Sequence, residues 1–192
     1  MITAKHSDRD AVVEILMSSF VNNKSITSLV GTEKGSEKRL KSLMNYAFAE
    51  CMDTGMVYLS EDFKACALVI FPEKKNGNLM SLFRDLKLIF SVIGISNISK
   101  ILKKESIIKK VQNAEKPRFY LWFLGVDERF QGKGIGTDLL RQLLDESSKL
   151  DRELLLETST ERNLPFYVAN GLRLYADVDV GYKLYFFKSI VK

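Results

Sequence analysis

The stretch "FLGVDERFQGKGIGTDLL", residues 123–140, decides how this chain is read: it runs from an apolar segment through glycines at 132, 134 and 136 into an amphipathic repeat. Ahead of it, "RFYLWFLGV" at 118–126 is aromatic and continuously apolar, as a central strand covered on both faces would be. Behind it, Ile135, Leu139, Leu140, Leu143 and Leu144 make a one-sided helical stripe, with Arg141, Gln142, Asp145 and Glu146 opposite. A helix N-terminus offers unpaired N–H groups and the positive end of the peptide dipoles, and glycines before it let a phosphate approach the backbone. A plain strand-to-helix turn has the same spacing.

Three phosphate loops compete for this stretch. A Walker loop needs Ser or Thr directly after its lysine, whereas Lys133 is followed by Gly134 and Thr137 comes late. A dinucleotide loop needs glycine where Thr137 stands, although Glu157 lies about the right distance downstream. A Q/R-x-x-G-x-G/A loop is matched by Gln131, Gly134 and Gly136 without adjustment.

Outward from the loop, the pattern predicts an α/β (α+β) chain of mixed strand order and one domain, 1–192, since no repeat or linker marks a boundary. Residues 1–5 read as a strand, "SDRDAVVEILMSSF" (7–20) as a helix capped by Ser7, and "SEKRLKSLMNYAFAEC" (36–51) as a helix capped by Ser36 and ended by Gly55. "MVYLSEDFKACALVIF" (56–71) reads as a hairpin closed by Pro72. Residues 78–113 form a mostly helical insertion, and its stretch 79–96 is apolar around most of its circumference. After the loop helix come a strand in "ELLLETS" (153–159), a short helix in "LPFYVAN" (164–170) with Pro165 in its first turn and Gly171 beyond its end, and two more strands.

Composition narrows the function. Hydrophobic residues at 46% and charged residues at 28% suit a globular protein rather than a disordered one. The longest apolar run, "LIFSVIGI" at 88–95, is far short of the ~20 residues a membrane span needs. Charges scattered through the first twenty residues leave no secretory signal, so a cytoplasmic location is expected. Cys51 and Cys66 read as reduced core residues, and no His, Cys or carboxylate set has metal-ligand spacing. The net charge of +5 lies largely in "SKILKKESIIKK" (99–110), where Lys100, Lys103, Lys104 and Lys110 read as a solvated helix face. With no recognition motif beside it, nucleic-acid binding is not expected.

The loop stretch resembles the pyrophosphate motif of the GNAT superfamily of acyl-CoA N-acyltransferases. "LLLETSTERNLPFYVANGL" (154–172) is similar to the strand-and-helix motif that follows it in that superfamily, and the wording is nearest to the puromycin N-acetyltransferase branch. The resemblance is strong over 118–175 and faint before. It implies a single-domain GNAT fold, a mixed and mostly antiparallel sheet flanked by helices, with acetyl-CoA as acyl donor. It also implies that main-chain N–H groups from Gln131 through Gly132, Lys133, Gly134 and Ile135 to Gly136, with Thr137 next in line, hold the pyrophosphate. Lys133 adds charge there or hangs in water. Main-chain N–H groups near Leu124 to Val126 would polarise the thioester carbonyl. Asn163 would touch the pantetheine arm, beside its local reading as a helix cap. Tyr167 would protonate the departing thiolate, beside its reading as aromatic packing.

The base is where the pattern departs. Many family members carry a glutamate on the strand before the loop, but here Tyr120 and Trp122 occupy its middle. Glu157 is the best remaining carboxylate, with Glu115 behind it, although a strand-end charge is also commonly just solvated. His6 reads as incidental. The leading expectation is an N-acetyltransferase that joins acetyl to a primary amine of a small molecule or peptide by direct attack, with stretch 79–95 walling a partly hydrophobic acceptor site. A homodimer is compatible with it. The competing expectation is a coenzyme A-binding sensor or interaction module without turnover.

Overall fold

Strands β1 (Ile2–Thr3), β2 (Gly55–Leu59), β3 (Ala65–Ile70), β4 (Arg118–Val126), β5 (Glu153–Thr158), β6 (Leu172–Asp179) and β7 (Lys183–Ser189) form one sheet in the order β1-β2-β3-β4-β5-β7-β6. They are seen in a computed structural model that describes residues 1–74, 92, 98–112 and 116–190. Around the sheet lie α1 (Arg9–Phe20), α2 (Lys24–Val30), α3 (Ser36–Thr54), α4 (Ile98–Val111), α5 (Ile135–Lys149) and α6 (Leu164–Ala169). The mixed α/β architecture agrees with the sequence pattern. Of the predicted insertion, residues 78–91, 93–97 and 113, like Glu115, lie outside the described residues. Val92 is buried, and α4 covers the basic stretch.

The sheet separates two cores. On one face α1, α2 and α3 bury Leu16, Met44 and Phe48 against Leu59, Leu68 and Phe123. On the other, α5 and α6 bury Leu140, Leu143 and Tyr167 against Phe119, Leu154 and Phe187. Burying a Leu or Phe side chain is worth roughly 1.5–3 kcal/mol, so these two layers fix the sheet between them. Cys51 and Cys66 are free and buried in the first core.

Two features of β4 create the site. First, all strand pairs are antiparallel except β4 with β5, and that parallel pairing joins only Arg118–Tyr120 to Glu153–Leu155. Past those three pairs no register joins the two strands among the described residues, and a notch opens in the sheet. Second, the β3–β4 register passes from Val69↔Leu121 to Leu68↔Phe123, so Trp122 is a bulge residue. The bulge inverts the alternation: Leu121 belongs to the α5–α6 core, whereas Phe123 belongs to the α1–α3 core.

Burial along β4 therefore alternates, which corrects the expectation of a strand covered on both faces. Half-buried Arg118, Tyr120, Trp122 and Leu124 line a cavity, and apolar character there serves a hollow rather than a packed face. Three helix starts also differ from the sequence reading. The first helix begins at Arg9 after a 3-10 turn at His6–Asp8, so Ser7 does not cap it. Ser36 is the first helical residue, and Gly35 in the left-handed region is the cap. Asn163 precedes α6, yet its side chain accepts no capping bond. The seven-residue α2, capped by Asn23 onto Ser25 and Ile26 N–H, went unread because it is too short to show a period.

Candidate functional site

At the end of β4 the chain turns through residues that hold one another. Asp127 caps the 3-10 turn Glu128–Phe130, accepting from Arg129 N–H at 3.0 Å, and the Arg129 guanidinium folds back on its carboxylate at 2.6 Å. That pairing, chiefly the side-chain hydrogen bond, holds the Asp127 carboxyl below its usual range. Val126 O accepts from Gln131 Nε2 at 3.0 Å and from Ser19 Oγ at 2.7 Å, which fastens the loop to α1. Gly132 and Gly134 have φ of 76° and 84°, where a Cβ costs about 1–2 kcal/mol. At Gly136 the constraint is space, because a Cβ would lie 3.2 Å from Val126 Cγ2.

The loop delivers Gly134 as the N-cap of the 15-residue α5, and no side chain caps that end. The first-turn N–H groups, Ile135, Gly136 and Thr137 among them, have no intrahelical acceptor and sit at the positive end of the dipole. Nothing stands within 4 Å of a Cβ built on Gly132 or Gly134, so the loop's outer side is open. Lys133 Nζ and Lys64 Nζ lie 5.1 and 4.7 Å from the Phe130 ring centre and add positive charge beside it. An uncapped helix end, an open glycine loop and nearby lysines fit a pyrophosphate.

The backbone of β4 adds further donors. Asp127 N–H donates to Lys64 O, and in an antiparallel pair hydrogen-bonded and non-bonded residue pairs alternate. Gly125 then faces Cys66 as a bonded pair, while Leu124 and Val126 turn their polar groups away from β3. The two acceptances by Val126 O from outside the sheet agree with this direction. Since β5 has left the ladder, the Leu124 N–H is directed into the notch.

A cavity of about 1410 Å³ occupies the notch. Tyr167 and Asn163 line it from the α5–α6 face, Tyr120, Leu124 and Glu157 from the notch itself, and Phe20, Tyr46 and Trp122 from the α1–α3 face. Tyr167 is 8% exposed, its ring 5.2 Å from those of both Phe166 and Phe187. Burial pushes its phenol up to about 12, and its hydroxyl has no hydrogen-bond partner among the described residues. The Glu157 carboxylate is held from two sides: Tyr120 OH donates to Oε1, and Gln112 Nε2 donates to Oε2 at 3.3 Å. Arg118 Nη1 in turn donates to Gln112 Oε1 at 3.3 Å. Burial first, then the Glu157 charge, raises the Tyr120 phenol well above its usual value.

The cavity thus gathers Leu124, Glu157, Asn163 and Tyr167, while Gln131 to Thr137 lie outside its lining, at the end of β4. Glu157 is not a merely solvated strand end. The sequence did not single out Gln112, Ser19, Tyr46 or Glu50, nor a positive role for Tyr120. Leu43, Tyr46 and Glu50 stand at i, i+3 and i+7 along α3, a stripe that contains a buried carboxylate and was the available signal.

A glycine-loop helix beside a split sheet is the arrangement to compare with known proteins. A model of the acetyltransferase (GNAT) family matches residues 91–172, which hold β4, the loop, α5, β5 and α6. Over those residues the chain is similar to the GNAT family, and its fold is the one those acetyltransferases share. Similar solved structures extend the agreement in fold to the whole chain. One is a histone acetyltransferase HPA2 and related acetyltransferase from Corynebacterium glutamicum, with TM-score 0.71 and 15% identity over 100% of this chain and 96% of that one. Another is arylalkylamine N-acetyltransferase 2 from Aedes aegypti, with TM-score 0.64 and 16% identity over 100% and 98%. A third is the C-terminal condensation domain of Ebony in complex with beta-alanyl-dopamine, with TM-score 0.68 and 8% identity over 99% and 97%. Among the described residues no helix is long and apolar enough to cross a membrane, and no group of three or more His, Cys, Asp or Glu is placed to hold a metal ion.

Proposed function

We propose that the chain, as one catalytic domain over 1–192 acting in the cytoplasm, is an N-acetyltransferase that moves acetyl from acetyl-CoA to a primary amine by direct attack. The carrying observation is that the notch between β4 and β5 lies next to an open glycine loop and gathers a backbone donor, a held carboxylate and a buried phenol around one cavity. The donor, when bound, supplies an activated thioester carbonyl and a thiolate leaving group.

The chain's own groups divide the work. Loop N–H groups from Gln131 to Thr137 bind the pyrophosphate, and Asn163 meets the pantetheine arm. Leu124 N–H, aided by Val126 N–H, donates to the carbonyl oxygen as charge gathers on it. An alkyl ammonium of pKa ~10.4 is neutral in only about one molecule in 2,500 at pH 7, so Glu157 accepts a proton while Tyr120 and Gln112 orient its carboxylate. The C–N bond forms and the C–S bond breaks; the nitrogen's remaining extra proton passes to the departing sulfur, which leaves as the thiol with a hydrogen bond from Tyr167, and Glu157 gives its proton up to solvent. With its phenol at about 12 against a thiol near ~8.5, complete proton transfer is uphill by roughly 5 kcal/mol. Tyr167 therefore acts through a hydrogen bond that strengthens in the transition state, and holds its proton across the physiological range.

One observation favours a second reading. Both Glu157 oxygens already accept hydrogen bonds, which weakens the carboxylate as a base and suits a coenzyme A-binding module without turnover. Thermal shift with acetyl-CoA, coenzyme A, NAD and ATP, followed by thiol release with an amine panel that includes puromycin-like amines, separates the two. Stabilisation by acetyl-CoA with turnover lost in Tyr167→Phe supports the enzyme. Tight binding with no amine acylated supports the module, and stabilisation by NAD or ATP alone removes both.

A further inference from the structure

The open end of the notch is spanned by side chains. Asn23 Nδ2, at the α1–α2 corner, donates to Thr160 Oγ1 just past β5 at 3.4 Å. Two residues on, the hydroxyls of Ser25 in α2 and Tyr182 in the β6–β7 turn are 2.8 Å apart. α1 is fastened to the end of β4 through Ser19, whereas Tyr182 belongs to the hairpin that pairs with β5 through β7. Both bonds therefore bridge the β4 side to the β5 side, on the face that α2 shares with α3. Asn23, Ser25 and Tyr182 also line the cavity, which places the strap over it.

Beneath the strap the wall is aromatic and its rings meet at steep angles. Phe20 and Phe123 are 5.1 Å apart at 82°, Trp122 and Phe123 5.1 Å at 53°, and Tyr46 and Trp122 6.3 Å at 84°. Such a set takes up another ring edge-to-face, and the Glu157 carboxylate in the same cavity complements an ammonium. A polypeptide N-terminus, by contrast, carries a chain that has to leave the site, and the Asn23–Thr160 and Ser25–Tyr182 contacts close the way out between the α1–α2 corner and the β6–β7 turn.

We infer that the acceptor is a compact amine with an aryl ring on a short alkyl arm, called an aryl amine below, held beneath the Ser25–Tyr182 strap, and not the N-terminus of a polypeptide. The acetylation of that amine rests on the function proposed above; its recognition does not. An aryl amine places its ring among Phe20, Tyr46 and Trp122 and its nitrogen toward Glu157, and no part of it need pass the strap. A peptide leaving on that side must break the bridging hydrogen bonds.

Trp122 is the chain's one tryptophan, so intrinsic fluorescence reports from this wall without turnover. The full chain saturated with coenzyme A is titrated with 4-chlorobenzylamine, butylamine and the free-amine tetrapeptide Phe-Ala-Ala-Ala, and acetylation of each is followed in parallel. The expected result is saturable binding of the aryl amine, about tenfold tighter than butylamine and about a hundredfold tighter than the peptide. In Ser25→Ala with Tyr182→Phe the peptide should gain at least about tenfold on the aryl amine, and Ser25→Ala alone should move the same way. Peptide binding as tight as the aryl amine, failure of the aryl amine to bind, or an unchanged ratio in both strap variants overturns the inference. Aryl amine bound as expected but never acetylated leaves the recognition intact and overturns the proposed function instead.

Discussion

The hydroxyl of Tyr120 on β4 donates to Oε1 of Glu157 on β5, so the two strands remain linked through side chains where their backbone pairing has just ended at Tyr120↔Leu155. A donor on a carboxylate stabilises its anion. Replacing Tyr120 with Phe removes that donor, and the acid limb of the kcat/KM profile should move to higher pH. Glu157→Gln should lower kcat by about 10²–10⁴-fold while the coenzyme still binds. Steady-state kinetics from pH 5 to 9 with calorimetric coenzyme binding check both, and an unmoved limb in Tyr120→Phe would separate the pair from the chemistry.

Tyr167 sits in the second core with its hydroxyl on the cavity, so Tyr167→Phe removes one oxygen and little packing. The expected outcome is a fall in kcat of about a hundredfold with unchanged affinity for acetyl-CoA. A rise in KM alone would show that the phenol binds rather than assists departure.

The loop separates strain from space. Gly134→Ala forces a Cβ into a φ of 84° and should cost about 1–2 kcal/mol of stability. Gly136→Val presses on the Val126 side chain, a residue whose carbonyl is held by Ser19 and Gln131. Its stronger effect should be on the donor: the rise in melting temperature on adding acetyl-CoA should shrink or vanish. Differential scanning fluorimetry with and without the coenzyme reads both quantities.

Alkaline stability follows from the buried phenols. Burial raises Tyr58, Tyr167 and Tyr175 to about 12 and lifts Tyr120 well above its usual value, while unfolded tyrosines titrate near ~10. Below pH ~10 both states keep the proton and nothing is lost. Between ~10 and 12 the unfolded state binds fewer protons, so stability falls as pH rises, by roughly 2–3 kcal/mol at pH 12 for Tyr167 alone. Urea midpoints from pH 8 to 11.5 should decline, with absorbance at 295 nm showing a late-titrating set from which Tyr167→Phe removes one member. A single titration of all tyrosines near pH 10 would contradict the burial.

The sheet, the hairpin and the glycine loop were legible because each leaves a local mark: a run of strand formers, a turn between two of them, a helical stripe after small residues. The notch left none. That β4 parts from β5 after Tyr120, and that Trp122 is skipped in the register with β3, depends on which strands lie alongside, a relation between distant residues. For the same reason Tyr120 looked like a missing glutamate, when it reaches across the gap to Glu157 from the position where the glutamate was sought. The aromatic run 118–126 shows how far hydrophobicity carries: it marks side chains that avoid water, and does not say whether protein atoms or a guest will cover them.

The short seam between β4 and β5 has a mechanical consequence. Backbone hydrogen bonds tie the half-sheet β1-β2-β3-β4 to the half-sheet β5-β7-β6 at one end, through Arg118–Tyr120 and Glu153–Leu155. Beyond that seam the halves are joined by side chains, Tyr120 to Glu157 and Ser25 to Tyr182, rather than by ladder bonds, and the space between them is open like the jaws of a clamp. A guest between the jaws would complete the pairing that the sheet omits, and so serve as a missing strand of the fold.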